Sequence, residues 1–102
     1  MFSSPSTVNW NYEKHNGIQR LAKELNCDYL DLNLDPHKVK INWKKDSRDA
    51  GDHLNHRGAV KVSRYLTEYL KSVKLLNDHR SDKRYASWKK SQKKYDADVG
   101  AV

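Results

Sequence analysis

Two histidines and two carboxylates lie within eight positions of one another, in the run D-A-G-D-H-L-N-H from Asp49 to His56. Histidine titrates near neutral pH and can take a proton from a nucleophile, and a neighbouring carboxylate fixes the tautomer of its ring. His53 is therefore a candidate general base. Asp49 and Asp52 are its candidate partners. Asp49 is preferred because a tight turn through residues 50 and 51 returns it to the ring, whereas adjacent side chains often diverge.

A helix is predicted to begin directly after these residues. Apolar side chains recur at helical spacing at positions 59, 62, 66, 69, 70 and 73, and Asn55 is a suitable N-cap. Free N–H groups at a helix start disfavour a protonated imidazole. The sequence therefore predicts a His53 that stays available as a neutral base.

Two other interpretations of the same segment remain open. The carboxylates can be turn residues, with Asn55 a cap and His53 a polar surface side chain, since short motifs often arise by chance. Alternatively, His53 and His56 can bind a metal ion together with the two carboxylates. A structural zinc site usually needs four nitrogen or sulfur ligands, and Cys27 is remote in sequence. We therefore predict no metal and no cofactor.

The upstream sequence predicts part of an α/β fold. Residues 1–10 read as a strand end followed by a polar loop. Residues 11–26 carry a helical apolar stripe, capped by Asn9 or Asn11. Residues 29–34, Y-L-D-L-N-L, alternate as in a strand whose leucines occupy the better-buried face. A helix followed directly by a strand is half of an α/β unit.

The connection over residues 35–52 is unusually long for a compact domain, and such loops are often functional. It is either a brief strand near Val39 and Ile41 or a loop held in place by Trp43. In both cases it delivers the chain to His53.

The positive charge is concentrated in the last third of the chain. The net charge is +7, and residues 71–102 hold nine basic against four acidic side chains, whereas residues 1–70 hold eleven against nine. A basic aromatic helix in this tail is a candidate nucleic-acid surface, formed by Lys89, Lys90, Lys93, Lys94, Tyr85, Trp88 and Tyr95. A solvated helix face explains the same pattern, so nucleic acid is the less expected partner.

One cysteine, no long apolar run and no signal-peptide layout indicate a soluble, untargeted chain as written. This favours the cytoplasm, while the compartment of any longer parent stays open.

Several blocks together resemble the C-terminal part of the SGNH/GDSL hydrolases. D-A-G-D-H-L-N-H-R-G-A-V-K-V-S-R-Y-L-T-E-Y-L is similar to the bacterial branch with a D-H-L-N-x-x-G-A-x-K-V-x-x-Y-L pattern. S-P-S-T-V-N-W-N-Y-E-K-H-N-G-I resembles its strand end, loop and helix start. Y-L-D-L-N-L resembles its next strand, and N-D-H-R-S-D-K-R-Y-A-S-W its tail. The resemblance covers residues 1–95.

This resemblance implies the C-terminal part of a flavodoxin-like three-layer α/β/α fold, here mostly helical with one or two short strands. It implies an SGNH-type domain segment at residues 1–76, a basic aromatic tail helix packing on it at residues 77–95, and a disordered end at residues 96–102. His53 corresponds to the catalytic base and Asp49 or Asp52 to its partner. The family's usual spacing is D-x-x-H, but Ala50 lies three positions before His53, so both carboxylates remain candidates.

The family's nucleophilic serine and oxyanion-hole residues have no counterpart in this sequence. Ser3, Ser4 and Ser6 match the end of a later strand instead. We therefore expect the C-terminal fragment of a serine esterase, with Met1 an internal methionine or the gene truncated. The implied partners are the missing N-terminal portion and a small acyl ester, with acetylated carbohydrate as one candidate. The fragment alone is expected to be inactive. The alternative is a small basic binding module without catalysis.

Overall fold

A short parallel sheet forms the centre of the first part of the chain. Strand β1, Phe2–Ser3, pairs with strand β2, Leu30–Asp31, so that Phe2 lies opposite Leu30 and Ser3 opposite Asp31. Helix α1, Tyr12–Glu24, connects them, as parallel strands require a crossover. The structure is thus a small mixed α/β protein, as its helix-then-strand order predicted.

The structure, a computed structural model, describes residues 1–74 and 76–100. The chain divides into two units, Met1–Thr67 and Glu68–Val102. No helix among the described residues is long and apolar enough to cross a membrane.

Helix α1 begins where the sequence predicted. The Asn11 side chain accepts a hydrogen bond from the Lys14 N–H at 2.8 Å, which identifies Asn11 and not Asn9 as the N-cap. Ala22 is its buried residue, whereas Leu21 and Leu25 of the predicted apolar stripe are exposed. The helix therefore packs through a narrower face than its sequence suggested.

Strand β2 is shorter than predicted. The chain turns directly after it, because the Leu34 N–H bonds to the Asp31 carbonyl and the Asn33 N–H bonds to the Asp31 side chain. The prediction that Asp31 lies on the less buried face was wrong, since Asp31 and Leu30 are both 5% exposed. A buried carboxylate persists only with hydrogen-bond donors around it, and Asp31 has several.

The connection over residues 35–52 is a loop, and a buried carboxylate holds it. Asp46 is fully buried and accepts a hydrogen bond from the Asn42 N–H at 2.9 Å. The Lys61 ammonium forms an ion pair with it, and the Arg57 guanidinium lies 3.6 Å away. The Asp46 carbonyl accepts from the Asn55 N–H. Asp46 thus helps to fix this loop, and the alternative of a brief strand near Val39 and Ile41 is not observed at these described residues.

Helix α2, His56–Ser72, begins at the predicted cap. The Asn55 side chain accepts from the Gly58 N–H at 3.1 Å, which confirms Asn55 as the N-cap. Gly58 and Val62 are its buried residues. A Cβ atom at Gly58 would lie 2.3 Å from the Asp46 carbonyl oxygen, so the loop approaches α2 closely only because residue 58 has no side chain.

The second unit contains a short 3₁₀ helix, Lys83–Tyr85, which continues into helix α3, Ala86–Gly100. The ring of His79 stacks on Tyr85 and the ring of Trp88 packs edge-on against it. Helix α3 extends beyond the end predicted at residue 95, and residues 101 and 102 lie outside the described residues. The packing of this tail on residues 1–76 stays a prediction.

Two glycines give opposite predictions for stability. Gly17 lies inside α1, and an added Cβ would meet no atom within 4 Å, so Gly17→Ala should raise the free energy of unfolding by about 1 kcal/mol. Gly58→Ala should lower it, because its Cβ would collide with backbone. Urea unfolding of both variants measures this. Equal effects of the two substitutions would contradict the packing described for α2.

The Asp46 ion pair gives a pH-dependent prediction. Lys61→Met should destabilise the chain at pH 7, because it leaves a buried carboxylate without its main partner. The Lys61 and Asn42 hydrogen bonds hold the pKa of Asp46 below its ordinary value. The stability from this group is therefore present above the unfolded pKa of about 3.9 and is lost as the pH falls through the folded pKa.

Urea midpoints at several pH values measure this effect. The deficit of Lys61→Met should shrink in acid, and the double variant Asp46→Asn/Lys61→Met should be more stable than the single variant at pH 7. The matched control is Lys44→Met, an exposed lysine of the same loop. A deficit that does not change with pH would contradict the role given to Asp46.

Candidate active site

The Asp49 carboxylate organises the turn that carries His53. Its Oδ1 accepts hydrogen bonds from the backbone N–H groups of Gly51, Asp52 and His53 at 3.2, 2.9 and 3.0 Å. Ala50 has φ = 60°, in the left-handed region that non-glycine residues seldom occupy. The predicted tight turn through residues 50 and 51 is therefore present, and three backbone donors stabilise it.

The second oxygen of the same carboxylate fixes the His53 ring. Asp49 Oδ2 lies 2.6 Å from His53 Nδ1, so the Nδ1–H donates to it and Nε2 is left to accept a proton. The His53 side chain is 74% exposed and that of Asp49 is 42% exposed. The predicted contact between Asp49 and His53 is present; the catalytic role of the pair stays a prediction.

Asp52 forms its hydrogen bonds with residues other than His53. One of its oxygens lies 3.6 Å from His53 Nδ1, but its hydrogen bonds come from elsewhere. The Ser6 hydroxyl donates to Oδ1 at 2.6 Å and the Asn9 side-chain amide donates to Oδ2 at 2.7 Å. Asp52 therefore joins the histidine turn to the loop that follows β1.

A second contact secures the same junction. The Thr7 N–H and hydroxyl both donate to the Gly51 carbonyl, at 2.8 and 2.9 Å. A Cβ at Gly51 would lie 2.9 Å from a methyl group of Val8, so only glycine lets the two segments approach this closely. The histidine turn consequently lies beside the carboxyl end of strand β1, the edge at which parallel α/β sheets usually bind ligands.

The electrostatics of the turn are governed by its two carboxylates. The hydrogen bond from His53, followed by those from the Asp52 and His53 N–H groups, holds the pKa of Asp49 well below its ordinary value. The Asp49 hydrogen bond, the Asp49 charge and then the Asp52 charge raise the pKa of His53, against smaller lowerings by desolvation and by the Arg48 charge. The sequence predicted a neutral His53 because a helix start disfavours the protonated ring, whereas the two nearby carboxylates favour the protonated form.

The metal interpretation rests on a different ligand set from the one considered first. Single ligand atoms of Asp49, Asp52 and His53 all lie within 4.8 Å of one another. His53 Nδ1 already contacts Asp49, however, and both oxygens of Asp52 accept hydrogen bonds from Ser6 and Asn9. These three residues are therefore arranged as a hydrogen-bonded turn, and we assign no ion to them.

A second histidine–carboxylate pair was missed from the sequence. His15 Nδ1 lies 2.6 Å from Asp31 Oδ2, and the side chains are 17% and 3% exposed. Asp31 also accepts from the Trp10 indole N–H at 2.8 Å and from the Tyr29 hydroxyl at 3.3 Å. The available signal was the carboxylate in the middle of the apolar run Y-L-D-L-N-L. Its partners His15 and Trp10 could not be predicted, because they lie 16 and 21 positions away in sequence.

Two surface clefts flank the loop after β1, with volumes of about 460 and 550 Å³. Pro5, Ser6 and Trp10 line both. The smaller cleft also reaches His15 and Asp52, and the larger one reaches Trp43. Both open at the carboxyl end of β1, close to the residues that hold the histidine turn.

Comparisons with protein-family profiles, with curated proteins and with solved structures gave no match to this chain.

An NMR titration of the His53 ring tests the assigned contacts. We expect a pKa above the ordinary value of about 6.5. It should fall toward that value in Asp49→Asn and fall less in Asp52→Asn, because only Asp49 bonds to the ring. An unchanged pKa in Asp49→Asn would contradict the pairing.

The same shifts define the pH window in which the pair contributes to folding. Because the pKa of Asp49 is lowered, its contribution to the stability of the fold is present above about pH 3.9 and is lost as the pH falls through its folded pKa. Because the pKa of His53 is raised, its contribution to stability is present below about pH 6.5 and is lost as the pH rises through its folded pKa.

Proposed function

We propose that this chain carries the histidine–aspartate half of a Ser-His-Asp esterase, as the C-terminal part of a flavodoxin-like SGNH-type hydrolase. The observation that carries the proposal is the 2.6 Å contact between His53 Nδ1 and Asp49 Oδ2, which leaves Nε2 on an exposed ring. This is the arrangement that a general base needs in acyl transfer.

The hydrogen bonds of the turn support a functional role for it over that of a simple surface turn. Asp49 accepts three backbone hydrogen bonds in addition to the ring contact, and Ala50 has a left-handed backbone at the same place. Strained residues of this kind persist where the surrounding structure fixes them, often at active sites. A capping residue alone would need one backbone contact and no histidine partner.

The raised pKa of His53 suits the same chemistry. In a triad the carboxylate stabilises the imidazolium that forms when the histidine takes the serine proton. His53 would deprotonate the nucleophile and later protonate the leaving alcohol. Asp49 would hold the ring and its positive charge during both steps.

The nucleophile and the oxyanion hole are proposed to lie in a segment other than these 102 residues. Among the described residues, no serine hydroxyl bonds to the His53 ring. Ser6, the serine joined to this turn, donates to the Asp52 carboxylate instead. Small acyl esters are the proposed substrates, with acetyl groups on carbohydrate as one candidate.

The test begins with the DNA directly upstream of Met1. A reading frame that encodes a glycine-aspartate-serine strand turn supports the proposal, and the extended protein should then hydrolyse p-nitrophenyl acetate. In that protein His53→Ala should lower kcat/KM by roughly 10⁴-fold or more, and Asp49→Asn by about 10³–10⁴-fold. The 102-residue chain alone should show only background hydrolysis.

The matched control is Lys44→Ala, which removes an exposed side chain of the same loop and should change kcat/KM less than about twofold. Turnover by the 102-residue chain that His53→Ala abolishes would overturn the assignment of the nucleophile to another segment. Two results together would favour the basic binding module. One is a stop codon directly upstream of Met1. The other is nucleic-acid binding that falls steeply with salt and is lost on truncation after Leu76.

A further inference from the structure

The smaller cleft, which we name the α1 cleft, lies between the loop after β1 and the first turns of α1. Its volume is about 460 Å³, within the usual range for a small-molecule site. The loop contributes Ser4, Asn9 and Trp10, and the helix contributes Lys14 and His15. It is thus built from two consecutive elements at the carboxyl edge of the sheet, where α/β sheets usually bind ligands.

His15 is as firmly oriented in this cleft as His53 is in its turn. Its Nδ1 contacts the buried Asp31 carboxylate at 2.6 Å, so Nε2 is the ring nitrogen that remains for a ligand. Asp31 itself is held by the Asn33 N–H at 2.9 Å and by the Trp10 indole. A preorganised ring of this kind binds a hydroxyl group with little ordering cost.

Trp10 supplies the apolar surface of the cleft. Its indole N–H donates to Asp31 at 2.8 Å, which fixes the ring, while its side chain lines the cleft. Small-molecule sites typically combine an aromatic surface with a few placed polar groups. The apolar face of a sugar ring and its hydroxyls match that combination.

The charge of the lining argues for a neutral ligand. The cleft is lined by one ammonium group, that of Lys14, which donates to the Asn9 carbonyl at 3.1 Å. It is lined by one carboxylate, that of Asp52, which accepts hydrogen bonds from Ser6 and Asn9. One cation and one anion leave no excess of either sign. The remaining polar groups are hydroxyls, an amide and an imidazole, which both donate and accept.

We propose that the α1 cleft binds a neutral sugar ring, with His15 Nε2 bonding to one of its hydroxyls and Trp10 packing on its apolar face. Asp52 lines this cleft and one of its oxygens also lies 3.6 Å from His53 Nδ1, but the sugar binding proposed here does not depend on the proposed ester hydrolysis.

The experiment titrates the full 102-residue chain with methyl β-D-glucopyranoside and records amide, indole and imidazole NMR signals. We expect saturable shifts of Trp10 and His15 with a Kd of about 1–10 mM. The charged analogue methyl β-D-glucuronide should bind at least about tenfold more weakly, as 1.4 kcal/mol corresponds to tenfold. No saturable binding, or stronger binding of the glucuronide, would overturn the proposal.

Variants locate the site. His15→Ala should weaken binding at least tenfold, but it also removes a partner of buried Asp31. A second variant therefore avoids the buried pair: Gly17→Trp fills the cleft, and a Cβ at Gly17 meets no atom within 4 Å. Gly17→Trp should abolish binding, and its matched control Gly17→Ala should bind like the wild type. Unchanged binding by Gly17→Trp would place the sugar elsewhere and overturn the assignment.

Failure of the sugar-binding proposal is distinguishable from failure of the esterase proposal, because binding in this cleft uses neither His53 nor a serine nucleophile. Absent binding would remove the sugar site and leave the His53 assignment standing. Saturable binding without hydrolysis by the extended protein would leave a sugar-binding site on a non-hydrolytic chain.

Discussion

The buried carboxylate of Asp46 is the constraint on which the candidate site depends. It is fully buried, and it connects the long loop to helix α2 through Lys61 and to the loop itself through the Asn42 N–H. The close approach at Gly58 is possible only because that residue lacks a Cβ. With the loop fixed at this point, the chain that follows has few ways to reach the cap at Asn55.

The turn between these two fixed points carries His53, the residue proposed as a general base. Asp49 closes it from within, and Asp52 attaches it to the loop after β1 through Ser6 and Asn9. The two carboxylates thus have different roles, whereas the sequence left both as candidate partners of His53. Asp49 holds the ring, whereas Asp52 holds the turn against the sheet and adds a second negative charge near it.

The two histidine–carboxylate pairs differ in environment more than in geometry. Both have an Nδ1 to carboxylate distance of 2.6 Å, but the His53 side chain is 74% exposed and that of His15 is 17% exposed. An exposed pair suits proton exchange with a group brought from another segment. A largely buried pair suits a fixed hydrogen-bonding position in a binding cleft. This contrast is why we propose catalysis for the His53 pair and ligand binding for the His15 pair.

Local signals predicted much of the framework. Asn11 and Asn55 cap the helices that their sequences indicated, and the order of helix and strand predicted a parallel pair. The contact of Asp49 with His53 followed from a four-residue spacing and a turn between them. Each of these depends on residues close in sequence, where backbone geometry allows few alternatives.

The sequence by itself determined the helices, their caps and the histidine turn, because each is built from neighbouring residues. Only the tertiary structure decided that Asp31 is buried, that the buried Asp46 carboxylate holds the loop, and that Asp52 bonds to Ser6 and Asn9. The partners that decide these outcomes lie up to 46 positions away in sequence, and burial and electrostatics among such groups exist only once the chain has folded.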